Sequence, residues 1–445
     1  MYDNIPTLFL VDGEHHPSTI LDSLKELEKR EGLQPLAIYF LGGTEKIKDL
    51  SELAGGEAEL IVPNNPLADL PGVLQRLRPH LVADLSDLPV LGPSMRLRMA
   101  AAALANGAAY RGADFEFRPP RREKVLTKPS CAIIGTGKRC GKTAVSAEMA
   151  RWLDRSGRSP VVVAMGRGGP PQPYVVQKGE IGAEFLLSEL EKGLHAASDH
   201  YEDALVSGVL TVGSRRCGGG MAGEPFVTNC VEAAQVADSL PADVVVMEGS
   251  GSSIPPVATD ATVCVISAAQ EIEEALGFLG SYRLLISNGV IITMAEEPFA
   301  SPLKIQELSE RIKRINNDIV VLKTIFRPHP LKPIRDKQVF LVATAPEEAG
   351  VLLQDYLEEE EGCVLVGRSH HLSDRRYLEE ELRGSAEAEV LLTELKAAAV
   401  DVVARFAQAN EKEIVFFHNV PVPLAGEVTL EGFYSGIWDK VMERS

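Results

Sequence analysis

The 445-residue sequence has no run of about 18 apolar residues, so no membrane-spanning helix is expected. Its start, MYDNIPTLFLVDGEHHP, has neither a basic n-region nor a cleavable apolar segment and reads as a first β-strand. Positive charge is scarce: 45 Lys+Arg stand against 63 Asp+Glu, a net charge of −18. General nucleic-acid binding needs basic surface to displace counterions, so it is not expected here, and neither is docking on an anionic membrane. A bound anion would need a local basic pocket set against the field of the whole chain. The six cysteines (Cys131, Cys140, Cys217, Cys230, Cys264 and Cys363) form no CxxC pair and no zinc-like cluster. They predict reduced, mostly buried thiols and a cytoplasmic location. No HExxH sequence and no Ser-His-Asp order occurs, so zinc and hydrolase readings have little support. Repeats of about 20–50 residues and low-complexity tracts are also missing.

What is present is the composition of a folded protein. Hydrophobic residues make up 45% and charged residues 24%, which rules out disorder as the main state. At about 150 residues per domain, the length predicts about three domains. Residues 1–125 open with strand Thr7–Val11, helix Thr19–Arg30 and strand Pro35–Leu41, then shorter strands Glu59–Val62 and Leu81–Asp84 and a small-residue helix Met95–Ala109. Phe117–Lys124, with two prolines and a high charge density, reads as a linker. Residues 126–330 carry short, near-continuous apolar strands at Ser130–Ile134, Pro160–Met165, Asp243–Met247, Thr262–Ser267, Leu284–Ser287 and Ile319–Thr324. Such runs indicate strands buried on both faces. Helices are expected at Thr143–Arg155, Gly182–Leu190, Thr228–Ser239 and Pro302–Ile315. Residues 331–445 repeat the pattern, with strands Val339–Ala343, Cys363–Val366 and Glu413–Phe417 and a long amphipathic segment from about Ala386 to Ala409. The run Glu358–Glu361 reads as a solvated helix end. Alternating strands and helices imply parallel sheets.

The strongest chemical signal is SCAIIGTGKRCGKT, residues 130–143: an apolar strand, a glycine-rich turn and a helix start. Gly135, Thr136, Gly137, Lys138, Arg139, Cys140, Gly141, Lys142 and Thr143 form a candidate nucleotide loop. Its backbone N–H groups and helix start would hold phosphate. Lys142 would reach the β- and γ-phosphates, and the Thr143 hydroxyl would ligate Mg²⁺. The strict pattern G-x-x-x-x-G-K-[ST] fails by one position, because Thr136 stands where its first glycine belongs. Lys138 and Arg139 add local positive charge. The expected fold class is α/β, with a central P-loop domain of mostly parallel sheet between N-terminal and C-terminal α/β domains.

Ligands in open α/β sheets bind outside the carboxyl ends of the strands. Glu248 ends the strand of DVVVMEGSG, residues 243–251, and is placed to hold Mg²⁺, whereas Asp243 at the far end reads as structural. Arg167, in the strand-end loop Gly166–Pro170, presents a planar fork suited to phosphate oxygens. Arg215 and Arg216 stand in the glycine-rich stretch Gly213–Gly220, read either as an anion nest or as a solvent loop. His15 and His16 follow the first strand and are further candidate substrate contacts, with a surface or capping role as the alternative; His370 and His371 are weaker candidates.

Together these residues carry a resemblance. The loop Gly135–Thr143 and the strand end Val245–Gly251 look like the dethiobiotin-synthetase-like branch of P-loop proteins. Asp12-Gly13-Glu14-His15, Met165–Pro170 and Glu248–Gly251 followed by Ile254–Val257 extend the likeness over nearly the whole chain. It resembles the cyclic 2,3-diphosphoglycerate synthetase family. That resemblance implies an ATP-dependent ligase in the cytoplasm, using Mg²⁺ and converting 2,3-diphosphoglycerate to its cyclic phosphoanhydride with release of ADP and phosphate. It carries over Gly137, Lys138, Gly141, Lys142, Thr143 and Glu248 as the nucleotide site and implies a homodimer. On this reading Lys142, Lys138, Arg167 and Glu248 are the catalytic group, with ATP and 2,3-diphosphoglycerate as small-molecule partners. The alternatives are another ATP-dependent ligase or kinase of that branch acting on a small acidic metabolite, and a nucleotide-switch chaperone. No Asn-Lys-x-Asp sequence is present to read guanine. A silent scaffold is disfavoured by the intact Gly141-Lys142-Thr143.

Overall fold

The computed structural model describes residues 4–47, 49–54, 58–182, 185, 188–189, 192, 199–395 and 400–444. They divide into two compact units, one of residues 1–121 with 272–286 and one of residues 122–271 with 287–445.

In the first unit, strands β1 (Ile5–Val11), β2 (Leu33–Phe40), β3 (Glu59–Ile61), β4 (Leu81–Asp84), β5 (Ala109–Arg111) and β6 (Glu116–Phe117) form a sheet in the order β3-β2-β1-β4-β5-β6. Every pairing is parallel except β5 with β6. Helices Pro17–Glu31, Pro66–Leu77 and Pro93–Ala105 each begin on a proline, whose missing N–H costs nothing in a first turn. The alanine-rich helix is shorter than expected. It stops at Ala105, and Ala109 already belongs to β5.

Of the run Leu284–Ser287, expected as a strand, Leu284 and Leu285 end a largely buried helix, Gly280–Leu285, in this unit. A short apolar run reads alike in a buried helix and a buried strand. The strand begins only at Gly289, where Val290-Ile291-Ile292 supplies β-branched residues.

The second unit holds β7 (Ser130–Gly135), β8 (Pro160–Gly166), β9 (Tyr174–Val176), β10 (Leu210–Cys217), β11 (Val227–Thr228), β12 (Val244–Glu248), β13 (Ala261–Ser267), β14 (Gly289–Thr293), β15 (Val320–Pro330), β16 (Gln338–Val342), β17 (Val364–Ser369), β18 (Val390–Thr393) and β19 (Glu413–Pro423). Among the described residues they form one sheet in the order β11-β10-β8-β12-β7-β13-β14-β15-β19-β18-β16-β17, with β9 beside β10. The nucleotide-loop strand β7 lies between β12 and β13, parallel to both. Antiparallel pairing of Thr324–Pro330 with Phe417–Pro423 joins the central strands to the C-terminal ones.

Two further expectations are corrected here. The segment 386–409 is not one helix: it contains β18, then a helix Val400–Ala409, with 396–399 outside the described residues. Val390-Leu391-Leu392 is a fully buried strand that helical spacing of its alanine-rich flanks disguised. Gly213–Cys217 is not a loop but the last half of β10, paired with β8 through Arg215 and with β11 at Arg216 and Cys217. The helix expected at Gly182–Leu190 falls largely outside the described residues.

The core around β7 includes Cys131, Ile133, Val145, Met149 and Val246, closed by Phe433, Tyr434, Ile437 and Trp438 of a helix spanning Leu430–Met442. The Tyr434 hydroxyl donates to the carbonyl of Val145 at 3.1 Å. All six cysteines are free thiols, and only Cys217 is exposed. No helix among the described residues is long and apolar enough to cross a membrane.

Candidate functional site

The buried strand β7 delivers its chain to the turn at Gly135, and the helix Lys142–Arg155 leaves it. The loop between them takes left-handed backbone at Arg139 (φ 63°) and Gly141 (φ 89°), not at Thr136. The departure from the strict phosphate-loop pattern therefore falls where a side chain is tolerated. Gly141 is required, because a Cβ there would strike the Phe326 ring as well as strain the backbone. Thr293 Oγ1 donates to the Cys140 carbonyl at 2.8 Å and anchors the turn to β14. Lys142 is buried, and its Nζ donates to the Gly137 carbonyl across the loop at 3.0 Å. Lys138 and Arg139 stand exposed at the rim.

Thr143 and Glu248 meet: Thr143 Oγ1 donates to Glu248 Oε1 at 2.7 Å. Glu248 is buried and its second oxygen, Oε2, has no hydrogen-bond partner. Asp203, on the helix Asp199–Ser207, is 1% exposed, and neither of its carboxylate oxygens has a partner. Burial, and then the neighbouring Glu248 carboxylate, push the Asp203 carboxyl well above the usual range. Buried carboxylate oxygens without donors cost free energy that a cation would relieve. No group of three or more His, Cys, Asp or Glu among the described residues forms a metal cage. Mg²⁺ does not need one, because it keeps several waters and takes one or two carboxylates plus substrate phosphates. Thr143, Glu248 and the unsatisfied oxygens beside them fit that ion. Asp203 had no sequence signal, since a buried acid on an amphipathic helix looks like any helical acid.

Lys138, Lys142, Thr143, Arg167, Glu248 and Ser250 all line one cavity of about 410 Å³. Arg167 follows β8 and is exposed. Its guanidinium and that of Arg216 both lie against the bare Cα of Gly251. Arg216 is 9% exposed, donating from Nη2 to the Ser250 carbonyl (2.9 Å) and from Nη1 to the Gly218 carbonyl (3.1 Å). Its Nε has no partner. Burial, and then the Arg167 charge, hold its pKa below the ordinary arginine value. Arg215 is one residue earlier on the strand. It therefore points to the other face of the sheet, where it is exposed. Its backbone N–H is taken by Asn229 Oδ1 at 2.7 Å, so that donor is not open to an anion.

His15 and His16 belong to the first unit. The His15 ring is held between Asp12 (Nδ1 to Oδ1, 2.8 Å) and Asp87 (Nε2 to Oδ2, 3.3 Å). It lines a cavity of about 860 Å³ in which Arg96 pairs with Asp84 at 2.7 Å and Arg111 with Glu31 at 2.6 Å. Both ring nitrogens of His15 are thus already met by carboxylates. His16 is exposed and starts the helix Pro17–Glu31. His370 Nδ1 faces the Ala345 carbonyl (2.9 Å) and His371 faces Glu381 (3.1 Å). Asp243 accepts the Ser159 N–H at 2.9 Å, as a structural acid would.

Three family models match: the N-terminal domain of cyclic 2,3-diphosphoglycerate synthetase over residues 6–118, its P-loop domain over 130–325 and its C-terminal domain over 330–420. A cyclic 2,3-diphosphoglycerate synthetase of Rubrobacter xylanophilus is 47% identical, with 94% of each chain covered. That of Methanothermus fervidus is 43% identical, covering 98% of this chain and 95% of its own. That of Methanothermobacter thermautotrophicus is also 43% identical, over 93% and 91%. The chain belongs to the cyclic 2,3-diphosphoglycerate synthetase family.

Proposed function

We propose that the chain closes 2,3-diphosphoglycerate into its cyclic phosphoanhydride at the expense of ATP, releasing ADP and phosphate. The observation that carries this reading is the single cavity in which a buried lysine and a Thr–Glu pair stand beside Arg167. One side suits a triphosphate, the other a second polyanion. In a chain of net charge −18, four cations of this cavity, Lys138, Arg139, Lys142 and Arg167, match its four acids, Asp199, Glu202, Asp203 and Glu248, a balance that suits a polyanion carried with a divalent cation.

In the reaction, the γ-phosphoryl group of ATP passes to one substrate phosphate and ADP leaves. The neighbouring phosphate then attacks the inner phosphorus of the new diphosphate and expels inorganic phosphate, leaving one P–O–P bridge in a ring. Phosphoryl transfer depends mostly on positioning and charge stabilisation. Lys142 leaves the Gly137 carbonyl for the β- and γ-phosphates, and Lys138 covers them from the rim. Arg167 and Arg216 hold the substrate phosphates side by side, which turns ring closure into a positioned intramolecular step. Mg²⁺, when bound, neutralises charge on the transferring group, and Thr143 and Glu248 would hold it. Arg215 and His15 are weaker contributors on this geometry, the first facing away and the second already paired.

We also read the chain as three domains (1–125, 126–330 and 331–445) of a cytoplasmic homodimer. The three family-model matches support the division, and the resemblance supports the dimer. Phosphorus NMR of a mixture of protein, ATP, Mg²⁺ and 2,3-diphosphoglycerate tests the reaction. New resonances from the P–O–P bridge of the cyclic product, distinct from those of ATP and ADP, should grow in step with ADP and inorganic phosphate. ADP formation driven by a carboxylate substrate, with no resonances from a cyclic diphosphate, would replace this reading with the ligase alternative.

A further inference from the structure

Thr136 is the position at which the nucleotide loop departs from the strict pattern, and the structure shows what holds it. Its Oγ1 donates to Oε1 of Gln270 at 2.7 Å, across 134 residues of chain. Gln270 ends the turn after β13, its backbone N–H donating to the Ser267 carbonyl at 3.2 Å. The preceding carbonyl, that of Ala269, accepts from Lys304 Nζ at 3.3 Å. The Gln270 amide nitrogen lies so close over Gly137 that a Cβ on that glycine would collide with it. Thr136 N–H donates to the Val265 carbonyl at 3.2 Å, so the loop is fixed to the β13 side through backbone and side chain together.

We infer that Gln270 is a positioning residue for nucleotide binding: by holding Thr136 and covering Gly137 it sets the peptide planes of the loop before the triphosphate arrives. The inference rests on the ATP reading of the loop. Gly137 carries the carbonyl that Lys142 now occupies, so the peptide that Gln270 covers is the one the lysine must release. Donors already aimed at developing charge need no reorganisation when the ligand binds. A glycine at position 136 could not make this contact. The side chain that breaks the pattern thus supplies a hold that the consensus loop lacks.

The test is calorimetric titration of Mg-ADP into the full-length protein, with steady-state kinetics alongside. Gln270→Ala and Thr136→Val should each weaken ADP binding by about three- to tenfold, the equivalent of one hydrogen bond. Both should raise the KM for ATP by a similar factor, while kcat and the KM for 2,3-diphosphoglycerate stay within about twofold. Thr136→Ser keeps the hydroxyl and should restore ADP affinity. The double variant should be no weaker than Gln270→Ala alone, because that change already removes the bond to Thr136. ADP binding unchanged in Gln270→Ala, or losses that multiply in the double variant, would overturn the inference and leave the ATP reading standing. Failure of the unmodified protein to bind ADP would remove both.

Discussion

Thr143 and Glu248, 105 residues apart in sequence, share a hydrogen bond of 2.7 Å between the first turn of one helix and the end of the adjacent strand β12. On the proposed reading, this hydroxyl and carboxylate would hold the divalent ion bound to the triphosphate. Glu248→Gln keeps the shape and removes the charge. It should raise the Mg²⁺ concentration for half-maximal activity by about tenfold or more, with little change in melting temperature. A Mg²⁺ titration identical to that of the parent protein would remove Glu248 from the ion site.

Lys142 donates to the loop's own backbone at the Gly137 carbonyl. Its replacement by alanine should lower kcat by on the order of 100- to 1,000-fold, the range for deleting one preorganised charge-stabilising donor. The far-ultraviolet circular dichroism spectrum should be preserved. Unchanged turnover in Lys142→Ala would show that the triphosphate binds elsewhere.

The two adjacent arginines on β10 separate cleanly by face. Arg216→Ala should raise the KM for 2,3-diphosphoglycerate by roughly 10- to 100-fold, as expected for losing a charge-assisted contact. The KM for ATP should move little. Arg215→Ala, an exposed change on the opposite face, should stay within about twofold on both. Equal losses in the two variants would mean that the arginines act only through the strand.

Two buried histidines give the protein a pH dependence. Burial brings His200 down to about 4, and burial, followed by Arg151 and His329, brings His418 down to about 3. Both are neutral in the folded protein at pH 6 and charge more readily once unfolded, where the value is near 6.5. The unfolded chain therefore binds more protons between about pH 6.5 and pH 4, so stability falls as pH falls through that window. Denaturant unfolding at pH 7.5 and pH 5 should differ by on the order of a few kcal/mol. His418→Gln should flatten part of that slope. A slope unchanged by His418→Gln would assign the pH dependence to other groups.

The nucleotide loop was legible because glycine, lysine and threonine leave a local pattern between an apolar strand and a helix. The buried strands β7, β8, β12 and β13 were legible for the same reason: each is a short run of valine, isoleucine and alanine. Strand β10 was not, since its second half, Gly213-Ser214-Arg215-Arg216-Cys217, is polar and glycine-led, yet Gly213–Arg215 pair with β8 and Arg216 and Cys217 with β11. Leu284–Ser287 failed because apolar side chains bury equally well in a helix. Asp203, Gln270 and the meeting of Arg167 with Arg216 depend on tertiary placement alone, and no spacing in the chain announces them.

The bond from Tyr434 to Val145 spans 289 residues, and the helix that carries it fills the core beside the phosphate loop. During synthesis, the ribosome must therefore release residues 430–442 before the nucleotide fold has its last wall. Until then the core cluster that holds Met149 and Leu153 lacks Phe433, Tyr434, Ile437 and Trp438, a stretch in which a chaperone would find an apolar surface to hold. For the same reason an excised central fragment ending near residue 330 should aggregate unless that helix is supplied as a separate peptide.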